Sequence, residues 1–449
     1  MTLLDFKWPY HRLECPSWSQ NNAFELARMQ VDSRKKIVVV GGGIIGLSTA
    51  YAALREGSQV TVVDRISNTG DNCSLGNAGM IVPSHFIPLA APGAFSNAIK
   101  WMMDPESPFH IQPRFSWDLM KWGLRFFLAA TETQVGQAAP LLRDLSFASR
   151  ELYIQWSDSG IDCSLAKKGL LMLCKSEHAM TEESNVAHRA RDLGVPAQTM
   201  NAAETSALDP NITMDIVGSV YYPKDCHLDP SQLLASLKTK IMALGGTIKH
   251  DCLVSGWKTR GQSIVALETN RGDIEADEFV LCGGIWSEGL VRTLKIQLPM
   301  QSGKGYSLTL PNPIELPNVC SILCEAKVAV TPIGSGLRFG GTMQIGEINQ
   351  SIDPRRVHGI VKSIPAYFPR FRIQHFDGIQ PWCGLRPVSP DGLPYIGRTN
   401  AWRNLTIATG HAMMGLSLGP ITGELVSQVL HGRKTKINID RLSPDRYRS

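Results

Sequence analysis

The chain has 449 residues, which is more than one ordinary hydrophobic core accommodates, so we expect two domains. Its composition of 43% hydrophobic and 19% charged residues is typical of a globular protein. The formal net charge is only +5 and the basic residues are scattered, which argues against a nucleic-acid partner.

The first 34 residues precede the first clear strand and contain no apolar core of a secretory signal, so we interpret residues 1–34 as an accessory extension. The ten cysteines show neither C-x-x-C pairs nor metal-ligand spacing. We therefore expect reduced thiols, no metal site and a cytoplasmic protein. No segment approaches the roughly 18 to 20 apolar residues that a membrane-spanning helix needs.

The segment 36–57 predicts a buried strand, a phosphate-binding turn and a helix. A β-branched run at 37–40 suits a parallel strand, and Gly41, Gly43 and Gly46 supply G-x-G-x-x-G. These glycines permit a tight turn, close approach of a pyrophosphate and close packing of the helix. The free N–H groups and the dipole at the helix start favour the diphosphate.

A second predicted strand, 59–63, ends in Asp64. A carboxylate at this position can accept both hydroxyls of an adenosine ribose. Strand, glycines, helix, strand and acid occur in order, which a glycine-rich turn of another kind would leave unexplained. The motif predicts a dinucleotide site without distinguishing NAD from FAD.

Helical spacing of Phe115, Trp122 and Phe126 predicts an amphipathic helix over 114–130, with Trp117 and Phe127 as further aromatics. Aromatic residues beside Arg114, Lys121 and Arg125 suit a membrane interface. Most amphipathic helices instead pack on a core. We expect core packing, with at most reversible contact with the inner face of the cell membrane.

A second stretch with nucleotide-binding features begins at Asp229. Aspartate caps helices and Pro230 suits the first helical position, so a helix is predicted from here to Gly245. A strand predicted over 278–282 runs into Gly283 and Gly284, where the backbone can lie close to a nucleotide.

Alternating, turn-rich segments between 300 and 375 predict an antiparallel sheet. Glycine-rich sequence returns at 382–397 and at 409–415, and the latter introduces a predicted helix through 421–429. The nucleotide-binding elements are therefore split into three parts, with a second, interrupted domain between them.

Several motifs together resemble the FAD-dependent D-amino acid oxidoreductases. They are KIVVVGGGIIGLSTA, CSLGNAG, AAPGAFSNAIKWM, GKGYSLTL, GLRPVSPDGLPYIG and TGHAMMGLSLGP. The likeness runs from about residue 35 to 445 and is greatest to bacterial D-amino acid dehydrogenases, including those for D-proline and D-hydroxyproline. Glycine and sarcosine oxidases are more distant relatives.

The resemblance implies an α/β plus α+β fold: a Rossmann-like FAD-binding domain assembled from three segments, and a substrate domain built on a large antiparallel sheet. The FAD-binding parts are expected at 35–110, 223–298 and 379–449. The substrate-domain parts are expected at 111–222 and 299–378.

The resemblance also implies non-covalent FAD and oxidation of a small or proline-like D-amino acid by hydride transfer from the α-carbon to flavin N5. The imino acid product would hydrolyse to a 2-oxo acid. The implied partners are this substrate and an electron acceptor, either a quinone, a dye or oxygen.

Three residues are expected at the substrate. The family places its carboxylate-binding arginine in the motif of Arg386, whose guanidinium can pair with both oxygens; a structural salt bridge is the alternative. Tyr306 is expected either to line the pocket or to pack its ring and bond a backbone carbonyl. His85 follows the segment expected near the flavin and is a further candidate to line the pocket; a histidine of a surface loop is the favoured alternative.

Backbone N–H groups of Met414, Gly415 and Leu416, at a predicted helix start, are expected to stabilise reduced flavin more than the His411 imidazole does. The full set of expected FAD contacts is Gly41, Gly43, Ile44, Ile45, Gly46, Asp64, Arg65, Ser74, Asn77, Ala78, Gly79, Val254, Gly283, Gly284, Trp286, Gly384, Arg386, Gly410, His411, Met413, Met414, Gly415 and Leu416.

Three other functions stay open from the sequence. A glycine- or sarcosine-type amine oxidase would use the same fold. A flavoprotein subunit of a larger electron-transfer complex would account for residues 1–34. An NAD-linked dehydrogenase would use only the first glycine motif.

Overall fold

Two large sheets organise the chain. The computed structural model describes residues 34–68, 70, 72–93, 107, 109–112 and 116–448. The predicted extension 1–34 lies outside these residues except for Arg34, as do Arg114 and Phe115. The described residues from Lys36 onward belong to one unit.

The secondary structure of the described residues is as follows. The strands are β1 (Lys36–Val40), β2 (Gln59–Val63), β3 (Met80–Ile81), β4 (Phe109–Ile111), β5 (Leu170–Cys174), β6 (Gln198–Asn201), β7 (Gly218–Tyr222), β8 (Cys226–His227), β9 (Thr247–Lys249), β10 (Val254–Arg260), β11 (Ser263–Thr269), β12 (Ile274–Glu275), β13 (Glu278–Leu281), β14 (Gln301–Leu310), β15 (Cys320–Leu323), β16 (Val328–Ile333), β17 (Gly336–Gly346), β18 (Trp382–Val388), β19 (Tyr395–Arg398) and β20 (Leu405–Thr409). The α-helices are α1 (Ile44–Arg55), α2 (Trp117–Ala129), α3 (Glu132–Asp158), α4 (Glu177–Asp192), α5 (Ala202–Leu208), α6 (Pro230–Ala243), α7 (Ser287–Arg292), α8 (Pro354–Tyr367) and α9 (Gly419–Leu430).

The first large sheet has the strand order β19-β20-β13-β1-β2-β9. Its strands pair in parallel from β20 to β9, and β19 adds an antiparallel edge. The strands come from three separated stretches of the chain, as expected for a Rossmann-like unit assembled from segments. The buried run Ile37–Val40 lies at the centre of this sheet, which explains its β-branched composition.

Helices α1, α6 and α9 contribute to the core that covers this sheet, with Leu47, Leu233 and Leu425 fully buried in it. Helix α6 begins at the predicted capping residue, because the Asp229 carboxylate accepts hydrogen bonds from two N–H groups of the first turn. Helices α1 and α9 approach so closely that a Cβ at Gly423 would lie 2.4 Å from the carbonyl oxygen of Ser48.

The second large sheet has nine strands and is mostly antiparallel, in the order β18-β14-β17-β16-β15-β5-β7-β6, with β4 beside β17. Helix α8 covers one face, where Phe339, Ile360 and Phe371 share a buried cluster. Strand β18 belongs to this sheet, although the sequence analysis includes it in the FAD-binding segment 379–449. We therefore propose that this third FAD-binding segment starts after Val388; the other predicted boundaries stay predictions.

Helix α2 spans Trp117–Ala129 and has two different apolar faces. Trp122 and Phe126 are buried, and the indole Nε1 of Trp122 donates to the carbonyl of Val388. Trp117 and Phe127 are instead more than half exposed. The expected core packing thus holds for only part of the aromatic set.

The C-terminal segment is fastened by a buried ion pair. Arg446 donates to both carboxylate oxygens of Asp391, at 2.8 and 3.0 Å, and its guanidinium lies 3.8 Å from the centre of the Tyr395 ring. Both charged side chains are almost inaccessible. Tyr395 belongs to the edge strand β19, so the pair connects the chain terminus to the first large sheet.

We predict that Arg446→Ala lowers the free energy of unfolding by about 3 to 5 kcal/mol, because it leaves the Asp391 carboxylate buried and uncompensated. Urea unfolding followed by circular dichroism measures the effect. Arg433→Ala is the matched control: Arg433 pairs with Glu56 at 2.8 Å on the surface. Such exposed pairs contribute under about 1 kcal/mol. Equal losses in the two variants would contradict the prediction.

Candidate active site

A cavity of about 760 Å³ extends from the carboxyl ends of the parallel strands to the face of the second large sheet. Val40, Asp64 and Cys282, which end or follow three strands of the first sheet, line one part of it. Thr342 and Arg386 from the second sheet line another part. Ligands of open parallel sheets bind at such strand ends.

The glycine motif forms the predicted turn. The Gly41 N–H donates to the Val63 carbonyl at 2.8 Å, and its φ of +110° favours glycine. A Cβ at Gly41 would lie 2.5 Å from the carbonyl oxygen of Cys282, and one at Gly46 would lie 1.8 Å from that of Gly41. Gly46 acts through packing, because it is not among the cavity-lining residues.

The Asp64 carboxylate organises the same turn. It accepts hydrogen bonds from the N–H groups of Gly42 at 2.8 Å and of Ile66 at 3.1 Å. A Cβ at Gly42 would lie 2.5 Å from this carboxylate, so the turn needs glycine at a position that the motif leaves variable. Gly42 was not among the residues predicted from the sequence, although the three consecutive glycines at 41–43 indicated that this position also lacks room for a side chain.

Beyond Asp64 the cavity is lined by two stacked planar side chains and by small or apolar residues. The Arg65 guanidinium lies 3.6 Å from the centre of the Trp286 ring, and burial lowers the pKa of Arg65. Val254, Gly283 and Gly284 line the same cavity. This combination suits an adenosine moiety.

The segment 74–79 connects the two sheets. Ser74 Oγ accepts from the Ile44 N–H at 3.1 Å at the start of α1. Arg338 of β17 donates to the carbonyls of Leu75 and Asn77, at 3.0 and 2.7 Å. Sequence analysis missed Arg338, because its partners lie more than 260 residues away in the chain.

Two predicted glycines act through backbone geometry, because neither Gly79 nor Gly410 lines the cavity. Their φ angles are +79° and +78°. A Cβ at Gly79 would lie 2.4 Å from the Leu228 carbonyl oxygen, and a Cβ at Gly410 would lie 2.7 Å from the Tyr395 ring. Ile45, Ala78, Met413 and Gly384 line the cavity, and their contact with FAD stays a prediction.

The segment 411–416 lines the cavity but does not begin an α-helix. A 3-10 turn occupies Ala412–Met414, and α9 starts only at Gly419, so the predicted helix start at 414–416 is wrong. The His411 imidazole is buried and contacts Thr422 Oγ1 at 3.0 Å. Burial lowers the pKa of His411 to about 3, so this side chain is neutral.

Arg386 places its guanidinium flat on Gly305 of β14, where a Cβ would lie 2.0 Å from Nη1. Nη1 donates to the Thr342 carbonyl at 2.9 Å, and burial lowers the pKa of Arg386. Within the described part of the chain Arg386 forms no ion pair, so the salt-bridge alternative is not what is observed. Among the described residues its other N–H groups have no further hydrogen-bond partner, and a guanidinium can bind an anion through them.

The Tyr306 hydroxyl is hydrogen-bonded to protein groups on both sides. It donates to Gln344 Oε1 at 3.1 Å and accepts the Asp353 N–H at 3.4 Å. The ring belongs to the core beneath α8, although the residue also borders the cavity. These contacts match the packing alternative, with a side-chain amide and a backbone N–H in place of the carbonyl partner.

His85 lines the cavity, and its Nδ1 lies 3.1 Å from Ser84 Oγ. Burial, with a contribution from Lys327, lowers the pKa of His85 to about 4. Lys327, like Arg65 and Arg386, is a cavity-lining cation, and it lies in the turn between β15 and β16. Sequence analysis missed Lys327, because a lysine in a turn is usually solvated.

Comparisons with known proteins agree with this geometry. The family model described as DAO, FAD dependent oxidoreductase, matches residues 36–429. The chain is 29% identical to a D-amino acid dehydrogenase of Granulibacter bethesdensis, over 92% of this chain and 99% of that protein. It is 30% identical to a D-amino acid dehydrogenase of Methylobacterium radiotolerans, again over 92% and 99%.

Solved structures of the same fold include glycine oxidase from Geobacillus kaustophilus, with a TM-score of 0.74 and 21% identity over 92% of this chain and 99% of that chain. L-Proline dehydrogenase from P. horikoshii has a TM-score of 0.69 and 18% identity over 92% and 98%. The expected fold class and resemblance are thereby confirmed.

Proposed function

Because this chain belongs to the family of FAD-dependent oxidoreductases, we propose that it is a D-amino acid dehydrogenase. FAD is its cofactor, which removes the NAD-linked alternative. When bound, FAD supplies the acceptor for a hydride that leaves the substrate α-carbon. The relatives named D-amino acid dehydrogenase support the substrate class.

The residues fit FAD along the whole cavity. The turn at Gly41–Gly43 leaves room for a pyrophosphate, and Asp64 stands where an adenosine ribose is bound in such folds. Segments 74–79 and 411–416 border the part of the cavity nearer the second sheet. We propose that these residues hold the flavin end.

The observation that carries the substrate proposal is the partly buried Arg386 guanidinium, which lines the cavity and has no counter-ion within the described residues. A bidentate carboxylate would compensate this charge and fix the amino acid at one end. The α-hydrogen is then oriented, and oxidation of the C–N bond gives an imino acid that water converts to a 2-oxo acid and ammonia.

We predict that small neutral D-amino acids or D-proline bleach the flavin absorption of the anaerobic protein, whereas their L-enantiomers do not. A panel that includes glycine and sarcosine tests the amine-oxidase alternative in the same measurement. Turnover is then assayed under air and with a dye or a quinone, using the isolated chain. Failure of every amino acid to reduce the flavin, or a need for a partner protein, would contradict the proposal.

Replacing Arg386 by alanine should lower kcat/KM by the equivalent of about 2 to 5 kcal/mol, mainly through KM, because the substrate carboxylate loses its partner. Arg386→Lys should recover only part of this loss, since ammonium cannot form the bidentate pair. FAD content, measured from the visible spectrum, should remain unchanged. Arg441→Ala, at an exposed arginine outside the cavity, is the control; unchanged kinetics of Arg386→Ala would refute the assignment.

We further propose a reversible contact between helix α2 and an anionic lipid surface. Its exposed face carries Trp117, Met120, Leu124, Phe127 and Leu128, each more than half accessible. Such a face with nearby basic residues suits the membrane interface, where a lipid-soluble quinone would be reached. Within the described residues, every helix falls short of the length and apolarity that crossing a bilayer requires.

Liposomes containing anionic lipid should carry the protein upward in flotation at low salt, and Phe127→Asp should abolish this. Phe126 is unsuitable for the test, because it is buried and its replacement would disturb the fold. Ile314→Asp is the matched control at an exposed apolar residue elsewhere. Absence of flotation, or equal loss in both variants, would reject the contact.

A further inference from the structure

Three side chains form a hydrogen-bonded chain from the protein interior to the cavity wall. Asp225 is fully buried, and its carboxylate accepts the Ser84 N–H at 3.1 Å and the Ser84 hydroxyl at 2.5 Å. Ser84 Oγ in turn lies 3.1 Å from His85 Nδ1. Pairing of β3 with β8 brings these residues together, although 141 positions separate Asp225 from Ser84.

The other ring nitrogen of His85 is available to a ligand. His85 lines the cavity, and Nε2 has no hydrogen-bond partner among residues 34–68, 70, 72–93, 107, 109–112 and 116–448. The main chain of this loop is fixed by the bond from the His85 N–H to the Val82 carbonyl at 3.0 Å. The imidazole therefore belongs to a hydrogen-bonded turn that borders the cavity.

The hydrogen-bond chain determines which nitrogen carries the proton. An ionised carboxylate only accepts, so the Ser84 hydroxyl must donate its single hydrogen to Asp225. Ser84 Oγ can then only accept from His85, which requires a proton on Nδ1. A neutral imidazole with this proton carries its lone pair on Nε2, which can therefore accept a hydrogen bond.

We propose that Asp225 and Ser84 are positioning residues that hold His85 in the tautomer whose Nε2 accepts a hydrogen bond from the substrate amine. This inference rests on the proposed amino-acid oxidation. It gives the substrate two fixed points: its carboxylate on Arg386 and an amine N–H on His85. Both lie on the wall of one cavity, so together they restrict how the α-hydrogen is presented.

The arrangement also makes the tautomer depend on pH. Burial raises the pKa of Asp225 to about 7, while burial keeps His85 neutral. Protonated Asp225 would donate to Ser84, Ser84 would donate to Nδ1, and Nε2 would carry the hydrogen. Two donors would then face each other at the substrate amine, so binding should weaken as pH falls through 7.

Other ionisable groups near Asp225, Ser84 and His85 do not reverse the direction of the pKa shifts of Asp225 and His85. Arg150 lowers the pKa of Asp225 less than burial raises it, and the nearby Tyr222, Cys226 and Cys320 have pKa values that are raised by burial. Their neutral forms therefore predominate around pH 7. Lys327 acts on His85 and, like burial, opposes its protonation.

Asp225→Asn is the decisive variant. In this variant the side-chain amide oxygen must accept the Ser84 N–H, as one carboxylate oxygen does in the wild type. The amide NH2 group then faces Ser84 Oγ and donates to it. This imitates protonated Asp225 and reverses the tautomer. At pH 8 we expect kcat/KM to fall roughly 10- to 100-fold, the usual effect of leaving a buried donor without an acceptor, and the dependence on pH around 7 to disappear.

Nitrogen-15 NMR of the FAD-loaded protein gives a readout that is independent of turnover. The His85 signals, assigned with His85→Gln, should report Nδ1–H in the wild type at pH 8 and Nε2–H in Asp225→Asn. Ser84→Ala should leave a mixture of tautomers that is insensitive to Asp225. An Nε2–H tautomer in the wild type at pH 8 would overturn the proposal even if the flavin is reduced by D-amino acids.

Asp209→Asn is the matched control, because Asp209 is also buried and accepts the N–H groups of Asn318 and Val319 at 2.8 and 2.9 Å, outside the cavity lining. It should destabilise the fold without changing the pH profile or the His85 tautomer. Equal changes of the pH profile and of the His85 tautomer in both aspartate variants would overturn the proposed role of Asp225. If no amino acid reduces the flavin of the wild type, the proposed function is refuted. The tautomer measurement then still decides whether Asp225 and Ser84 position His85.

Discussion

The close backbone crossing at the glycine turn is the constraint on which the rest of the site depends. Gly41 passes within van der Waals distance of the Cys282 carbonyl, and Gly46 lies against the carbonyl of Gly41. Strands β1 and β13 and helix α1 can therefore meet without side chains between them. The carboxyl ends of the strands are left open at this point, and the cavity begins there.

The second sheet completes the cavity through polar groups that reach across to the first. Arg338 holds the carbonyls of Leu75 and Asn77, and Ser307 Oγ donates to the carbonyl of Gly76 at 3.1 Å. These hydrogen bonds hold residues 75–77, which we propose border the flavin, against the second sheet.

Charge is distributed unevenly along the cavity. Arg386 is a partly buried cation on the second sheet, whereas desolvation lowers the pKa of His85 and of His411 and keeps both neutral. A carboxylate is favoured beside the arginine, and neutral imidazoles can offer a lone pair. The same low polarity that disfavours extra charge also strengthens each hydrogen bond to a substrate.

The sequence by itself determined the strand, glycine turn and helix of the predicted dinucleotide site, because their signals are local. Glycine spacing, a β-branched run and an acidic residue after the second strand all lie within 30 residues. It also indicated Arg386, through a motif shared with a family. It did not determine where side chains point. The Tyr306 hydroxyl donates to Gln344, on the neighbouring strand β17, and this pairing depends on how two strands distant in the chain are aligned.

Only the tertiary structure decided which aromatic residues of α2 face the core, because rotation of a helix about its axis is set by its neighbours. Trp122 is fixed by the Val388 carbonyl, and Phe127 is consequently exposed. Likewise, Asp225 and Ser84 meet across 141 positions through a two-residue strand pairing. Contacts between residues so distant in the chain depend on the packing of whole elements, which no local pattern records.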